Sequence, residues 1–143
     1  MTRTPRRTPG PRSTLDGVRI LLVEDDEAVS EALAAFLEHH GAVVVAARSV
    51  RSALDLLTEA APDVLLSDIG RGSNPNAGFD DLARFREAGL YTGPVVFYTS
   101  RISTARRSRA VELGASIAGN ESELLQAIGD QLAPSAPAGS AVA

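Results

Sequence analysis

The sequence of 143 residues contains no cysteine, which excludes a disulfide framework and a thiolate metal site alike. It also contains no lysine. All fourteen basic residues are arginines, so neither amine nucleophiles nor ammonium point charges are available from its side chains. No apolar run approaches the roughly 18 residues needed to cross a bilayer. The N-terminus carries Arg3, Arg6, Arg7 and Arg12, but no apolar stretch follows to make a secretory signal. These absences point to a cytoplasmic protein that does not use a membrane.

What is present reads as one ordinary globular domain: 44% of residues are hydrophobic and 22% charged. The charge is uneven. Residues 1–14 hold four arginines and no acid, whereas the remainder holds ten arginines and eighteen acids, a balance of −8. An acidic body argues against direct nucleic-acid binding. Residues 1–15, rich in Thr, Pro and Arg, are expected to be a disordered leader. The Ala/Pro/Ser-rich stretch 133–143 is expected to be a disordered tail. The folded domain is then 16–132.

Within that domain two kinds of apolar segment alternate. Val18–Val23, Val43–Ala46, Val64–Leu66, Val95–Tyr98 and, more weakly, Ser116–Ala118 are short and largely β-branched, as in strands buried on both faces of a parallel sheet. Between them apolar residues recur at helical spacing: Val29, Leu33, Phe36 and Leu37; Val50, Ala53, Leu54 and Leu57; Leu82, Phe85 and Ala88; Leu124, Leu125 and Ile128. Ser49, Ser103 and Asn120 suit helix N-caps, Asn120 with Glu123 as a capping box. Gly41, Gly89 and Gly114 stand where helices should end. Five strands and five helices in strict alternation require right-handed crossovers. They imply an α/β, doubly wound, flavodoxin-like five-stranded parallel sheet of order 2-1-3-4-5 with helices on both faces. In such sheets function sits beyond the carboxyl ends of the strands, at the switch between strands 1 and 3.

Glu24, Asp25, Asp26 and Glu27 follow strand 1, Asp68 follows strand 3, and Thr99, Ser100 and Arg101 follow strand 4. Strands 1 and 3 are neighbours in this order, so their acids converge. Two like charges about 4 Å apart repel by roughly 4 kcal/mol at an effective dielectric near 20. Three carboxylates therefore call for a cation, and hard oxygen ligands in incomplete number suit Mg²⁺. A carboxylate beside such a cation can attack a phosphoryl donor and form an acyl phosphate.

The run from Ile20 to Asp26 (ILLVEDD), the segment Pro62–Asp68 (PDVLLSD) and the segment Pro94–Ser100 (PVVFYTS) together resemble the receiver domains of bacterial response regulators, over about Val18 to Leu132. The resemblance implies Asp68 as the phosphorylated residue. It implies Mg²⁺ ligation by Glu24, Asp25, Asp68 and the backbone carbonyl of Gly70, with Asp25 and Asp26 as an alternative acid pair. Thr99 is the implied switch hydroxyl. The implied partners are a histidine kinase or phosphotransfer protein and a downstream protein effector, which meets the face formed by Ser103–Leu113, strand 5 and the last helix. The protein is expected to be a stand-alone regulator rather than an enzyme, and a monomer or weak dimer. The Asp-x-Asp pattern of aspartate-based phosphatases is missing after strands 1 and 3.

Two features depart from the family. Its lysine at the end of strand 5 has no counterpart in Gly114–Glu121, and neither has its aromatic switch residue, whose region holds Ile117 and Ala118. After Asp68, Arg71–Gly78 (RGSNPNAG) makes a longer, glycine-rich connection with Gly72 in place of the family's proline. Arg71 or Arg101 is the candidate substitute for the missing positive charge. The lost lysine also keeps open a pseudo-receiver that binds partners regardless of phosphate. His39 and His40 are adjacent on a helix, face different ways and read as a polar helix end.

Overall fold

The computed structural model describes residues 15–133. Five strands and five helices alternate: β1 (Arg19–Val23), α1 (Glu27–His39), β2 (Val43–Ala47), α2 (Val50–Glu59), β3 (Val64–Asp68), α3 (Ala77–Ala88), β4 (Val95–Tyr98), α4 (Thr104–Glu112), β5 (Ser116–Ala118) and α5 (Glu121–Leu132). All strand pairs are parallel, and the order is β2-β1-β3-β4-β5, as the alternation of segments requires.

Side-chain alternation along each strand divides the core in two. Ile20 and Leu22, Val64 and Leu66, and Val96 face α1 and α5, where they meet Leu33, Leu37, Leu124 and Ile128. Leu21 and Val23, Leu65, Val95 and Phe97 face the other side and meet Ala53 and Leu57 of α2, Phe79, Leu82 and Phe85 of α3, and Ala110 of α4. The helices start as their caps dictate. Asp26, Ser49, Ser103 and Asn120 accept from the backbone N–H three residues on, at Val29, Ser52, Arg106 and Glu123. The capping box at α5 is displaced by one residue, because the Glu123 carboxylate accepts from Gly119 rather than from Asn120.

Three expectations need correction. Leu15, placed in the leader, is fully buried in the core beside α1 and α5, and its N–H donates to His40. The folded body therefore includes it; the rest of the leader and the tail from 134 lie outside the described residues. Strand β2 is not buried on both faces. It is an edge strand, and α2 packs over its Ala47 end, leaving Val43 and Val45 about half exposed. Finally, Val29 and Ala88 point to solvent, and the inward stripe of α1 is Ser30, Leu33 and Leu37, with Phe36 only half buried.

Candidate functional site

Strand register sets the site. Val23 pairs with Ser67, and Asp68 pairs with Tyr98, so the residues after β1, at the end of β3 and after β4 arrive at one rim of the sheet. One carboxylate oxygen from each of Glu24, Asp25 and Asp68 lies within 4.8 Å of the others. Asp26 stands apart from them: its side chain caps α1 by accepting from Val29, while its N–H donates to Glu24 Oε2 at 3.1 Å. Of the two acid pairs open in the sequence, the geometry thus assembles Glu24 with Asp25.

The electrostatics of the cluster are unfavourable without a cation. Burial pushes the Glu24 carboxyl up to about 7, aided by the charges of Asp68 and Asp25 and opposed by the Asp26 N–H. Asp68 is only 8% exposed. Burial raises its proton affinity too, and the adjacent Arg71 guanidinium offsets part of that rise. Asp68 Oδ2 is buried and lacks a hydrogen-bond partner. An orphaned carboxylate oxygen among hard oxygen donors fits Mg²⁺, with Glu24, Asp25 and Asp68 as the side chains that would hold it.

Arg71 closes the other side of Asp68. Its Nη2 donates to Asp68 Oδ1 at 2.6 Å, and its Nη1 donates to Asp81 Oδ2 at 2.6 Å. Burial alone would lower the guanidinium's proton affinity, but Asp81 and Asp68 together hold it above the ordinary arginine value. The loop places it there. The Arg71 and Asn74 backbones pair in both directions, and the Asn74 side chain accepts from Asn76. Gly78 then lets α3 begin directly behind Asp68, where a Cβ would collide with the Asp68 carbonyl oxygen. Gly70 lies exposed in the same loop, beside the Pro75 backbone.

The structure separates the two candidate arginines. Arg101 is exposed and meets the rim through its backbone N–H, which donates to Thr99 Oγ1 at 3.1 Å. The guanidinium that reaches Thr99 belongs to Arg106, whose Nη1 donates to the same oxygen at 3.1 Å and to the Arg101 carbonyl. Its Nη2 donates to the Pro75 carbonyl at 3.0 Å. At the end of β5, Ala118 is fully buried, and Gly119 and Asn120 lead straight into α5. No cation takes the lysine's place there among the described residues.

Sequence reasoning passed over Asp81 and the reach of Arg106. The signal for Asp81 is its spacing: Gly78, Asp81, Leu82 and Phe85 form one helical stripe, so an acid sits on the buried face of α3. Arg106 carries no comparable signal, since a charge in the first turns of an exposed helix is ordinary. His39 and His40 stack edge to face on each other, with His40 also against Phe36, far along α1 from the acids.

Comparisons with known proteins agree with this geometry. The model of the response regulator receiver domain family matches residues 20–118. The chain is 34% identical over 98 residues to the transcriptional regulatory protein DltR of Streptococcus agalactiae, covering 68% of this chain and 42% of that one. It is 36% identical over 97 residues to the transcriptional regulatory protein CpxR of Escherichia coli, covering 68% and 40%. The chain thus spans about two fifths of the length of these curated relatives. Among solved structures, the non-phosphorylated HemR receiver domain of Leptospira biflexa superposes with a TM-score of 0.65 at 31% identity, covering 85% of this chain and 98% of that one. The Vibrio cholerae chemotaxis protein CheY4 shares the fold with a TM-score of 0.69 at 23% identity, covering 81% and 99%. An acid cluster at the rim between β1 and β3, on a 2-1-3-4-5 parallel sheet matched over 20–118, makes this chain a member of the response regulator receiver domain family, a signalling module of two-component systems.

Proposed function

We propose that Asp68 accepts a phosphoryl group from a histidine kinase or phosphotransfer protein, with Mg²⁺ held by Glu24, Asp25, Asp68 and the Gly70 carbonyl, and with Arg71 in the charge role of the missing lysine. The observation that carries the reading is Asp68 itself. It is buried at a strand end, one oxygen is bound by a guanidinium, and the other is free and shares its pocket with two more carboxylates.

An Asp68 oxygen forms the new bond to phosphorus as the donor's bond to phosphorus breaks, and the electron pair leaves with the donor. Mg²⁺, when bound, neutralises charge developing on the phosphoryl oxygens. Arg71 supplies a second positive charge, and its Nη2, which donates to Asp68 in the resting chain, is the donor within reach of the phosphoryl group. The Thr99 hydroxyl already accepts from Arg101 and Arg106, so its proton is available to donate to the phosphoryl group. The product carries close to two added negative charges at the rim.

Output then passes to a protein effector rather than to DNA. The surface that supports this is a groove of about 380 Å³ between α4, β5 and α5, bordered by Arg107, Val111, Ile117 and Asp130, with Val111 75% exposed. A cytoplasmic site of action suits such a partner; among the described residues no helix is long and apolar enough to cross a membrane.

The test is incubation of the full chain with acetyl phosphate and Mg²⁺. A hydroxylamine-labile adduct is expected on the wild type and not on Asp68→Asn. Arg71→Ala should slow its formation about tenfold, the worth of a charge-assisted hydrogen bond, while Arg101→Ala leaves it unchanged. The contact between Arg71 and Asp68 also favours a second reading, a pseudo-receiver whose acceptor is held by an internal ion pair. Absence of any adduct on the folded wild type would establish that reading instead.

A further inference from the structure

Glu24, Asp68 and Asp81 are the buried acids among the described residues, and only Asp81 lies outside the proposed metal pocket. Its two oxygens are divided: Oδ1 accepts from Arg84 and Oδ2 accepts from Arg71. Arg84 is largely exposed on the same helix, so its bond orients the carboxylate without burying a second cation. Arg71, in turn, divides its donors. One nitrogen faces Asp81, another faces Asp68, and its buried Nε has no partner.

We propose that Asp81 is a positioning residue for phosphoryl transfer: it grips one end of Arg71, so that the other end passes from the Asp68 carboxylate to the incoming phosphoryl oxygens without leaving the pocket. The proposal rests on the reading of Asp68 as the acceptor. Because the two carboxylates engage different nitrogens, the Asp68 bond can be exchanged while the Asp81 bond persists. With acetyl phosphate as donor, an Asp68 oxygen bonds to phosphorus as the phosphorus–oxygen bond to acetate breaks, and acetate takes the electron pair. Asp68 thereby loses its negative charge as a carboxylate, and its hold on Nη2 weakens. The phosphoryl group presents nearly two negative charges beside it. Arg71 stays protonated throughout and turns about its Asp81 anchor. The backbone pairing of Arg71 with Asn74 limits that turn to the side chain. Without Asp81, all of the guanidinium's attraction would fall on Asp68, tightening the pair that phosphoryl transfer and Mg²⁺ must both displace.

The experiment is a double-variant cycle on the full chain, with Asp81→Asn, Arg71→Ala and both together, and with Arg101→Ala as control. Two quantities are read: the rate of adduct formation from acetyl phosphate across its concentration range, and the Mg²⁺ dissociation constant of the unphosphorylated protein by calorimetry. Asp81→Asn should slow phosphorylation about tenfold, as Arg71→Ala does, and the double variant should be no slower than either. Asp81→Asn should weaken Mg²⁺ binding severalfold, and adding Arg71→Ala should restore it, which a merely structural role for Asp81 would not produce. Additive losses, or unchanged values in folded Asp81→Asn, would overturn the proposal. Should Asp81→Asn fail to fold, Asp81→Glu keeps the charge but moves the anchor by one methylene; an unchanged phosphorylation rate and Mg²⁺ affinity there would overturn it equally. If the wild type forms no adduct, the acceptor reading falls on its own, and the Mg²⁺ cycle still decides whether Asp81 governs the hold of Arg71 on Asp68.

Discussion

Between Asp68 and Asp81 the Arg71 guanidinium makes one charge-assisted bond from each terminal nitrogen, and that division depends on its planar fork. A lysine at this position would bring a single compact charge on a freely rotating stem. Arg71→Lys should therefore fold, since the charge in the buried cluster is kept, but recover little of the phosphorylation rate lost in Arg71→Ala. Acetyl phosphate kinetics on the three proteins checks this; equal rates for Lys and Arg would show that charge alone suffices. Gly78 carries a second residue-scale prediction. Its missing Cβ lets α3 approach the Asp68 backbone, and its N–H donates to the Ile69 carbonyl at 2.7 Å. Gly78→Ala should cost about 1–3 kcal/mol, the usual range for overpacking. It should also weaken Mg²⁺ binding, because the strain falls on Asp68, the proposed acceptor. A melting-temperature loss without a change in Mg²⁺ affinity would place the strain in α3 instead.

At the scale of elements, the strands and helices were legible because each signal was local. β-branched runs, Ser and Asn caps and terminal glycines recur where the structure has them, and five-fold alternation leaves few topologies to choose between. The acid cluster was legible for the same reason, since strand ends in a known order place Glu24, Asp25 and Asp68 together. What the sequence hid depends on the path of loops. Whether Arg71 or Arg101 turns inward is decided by the Arg71–Asn74 bridge in one loop and by the cap at Ser103 in the other, and neither has a periodicity to read. The exposure of Val43 and Val45 likewise follows from how far α2 extends over an edge strand, not from β2 itself. Arg106 shows what such loop contacts do for an element. It binds Thr99, the Arg101 carbonyl and the Pro75 carbonyl, so α4 is tied to both rim loops by one side chain. In a chain without the family's lysine and aromatic residue, this tie is the direct link from the Thr99 hydroxyl to α4. Arg106→Ala should raise amide exchange at residues 71–76 and 101–106 while β1 and β3 stay protected. Uniform loss of protection across the sheet would mean that Arg106 serves global stability.

For the whole molecule, the acid pocket couples folding to protons and, on the proposed reading, to Mg²⁺. The folded chain holds Glu24 near 7, well above the ordinary glutamate value of 4.5, chiefly because the group is buried and secondarily because Asp68 and Asp25 are close. Between those two pH values the folded protein retains a proton that the unfolded chain releases, so stability falls as pH rises through that window. The raised Asp68 carboxyl acts in the same direction. Glu24→Gln removes the largest of these contributions without changing the side chain's size. In metal-free buffer the variant should melt above the wild type at pH 8, and the gap should close towards pH 5, where wild-type Glu24 is already protonated. Mg²⁺ should reverse the order, since on the proposed reading it binds the ionised cluster of the wild type and would find one charged ligand fewer in the variant. At a hundred times its pH 8 dissociation constant it should stabilise the wild type by about 2.7 kcal/mol at pH 8, and the same concentration should stabilise it less at pH 6, since protons compete for the same carboxylates. Melting curves at pH 5, 6 and 8, with and without Mg²⁺, measure every part of this linkage. Parallel curves for the two proteins would show that Glu24 neither carries an unfavourable charge in the folded state nor takes part in holding the ion.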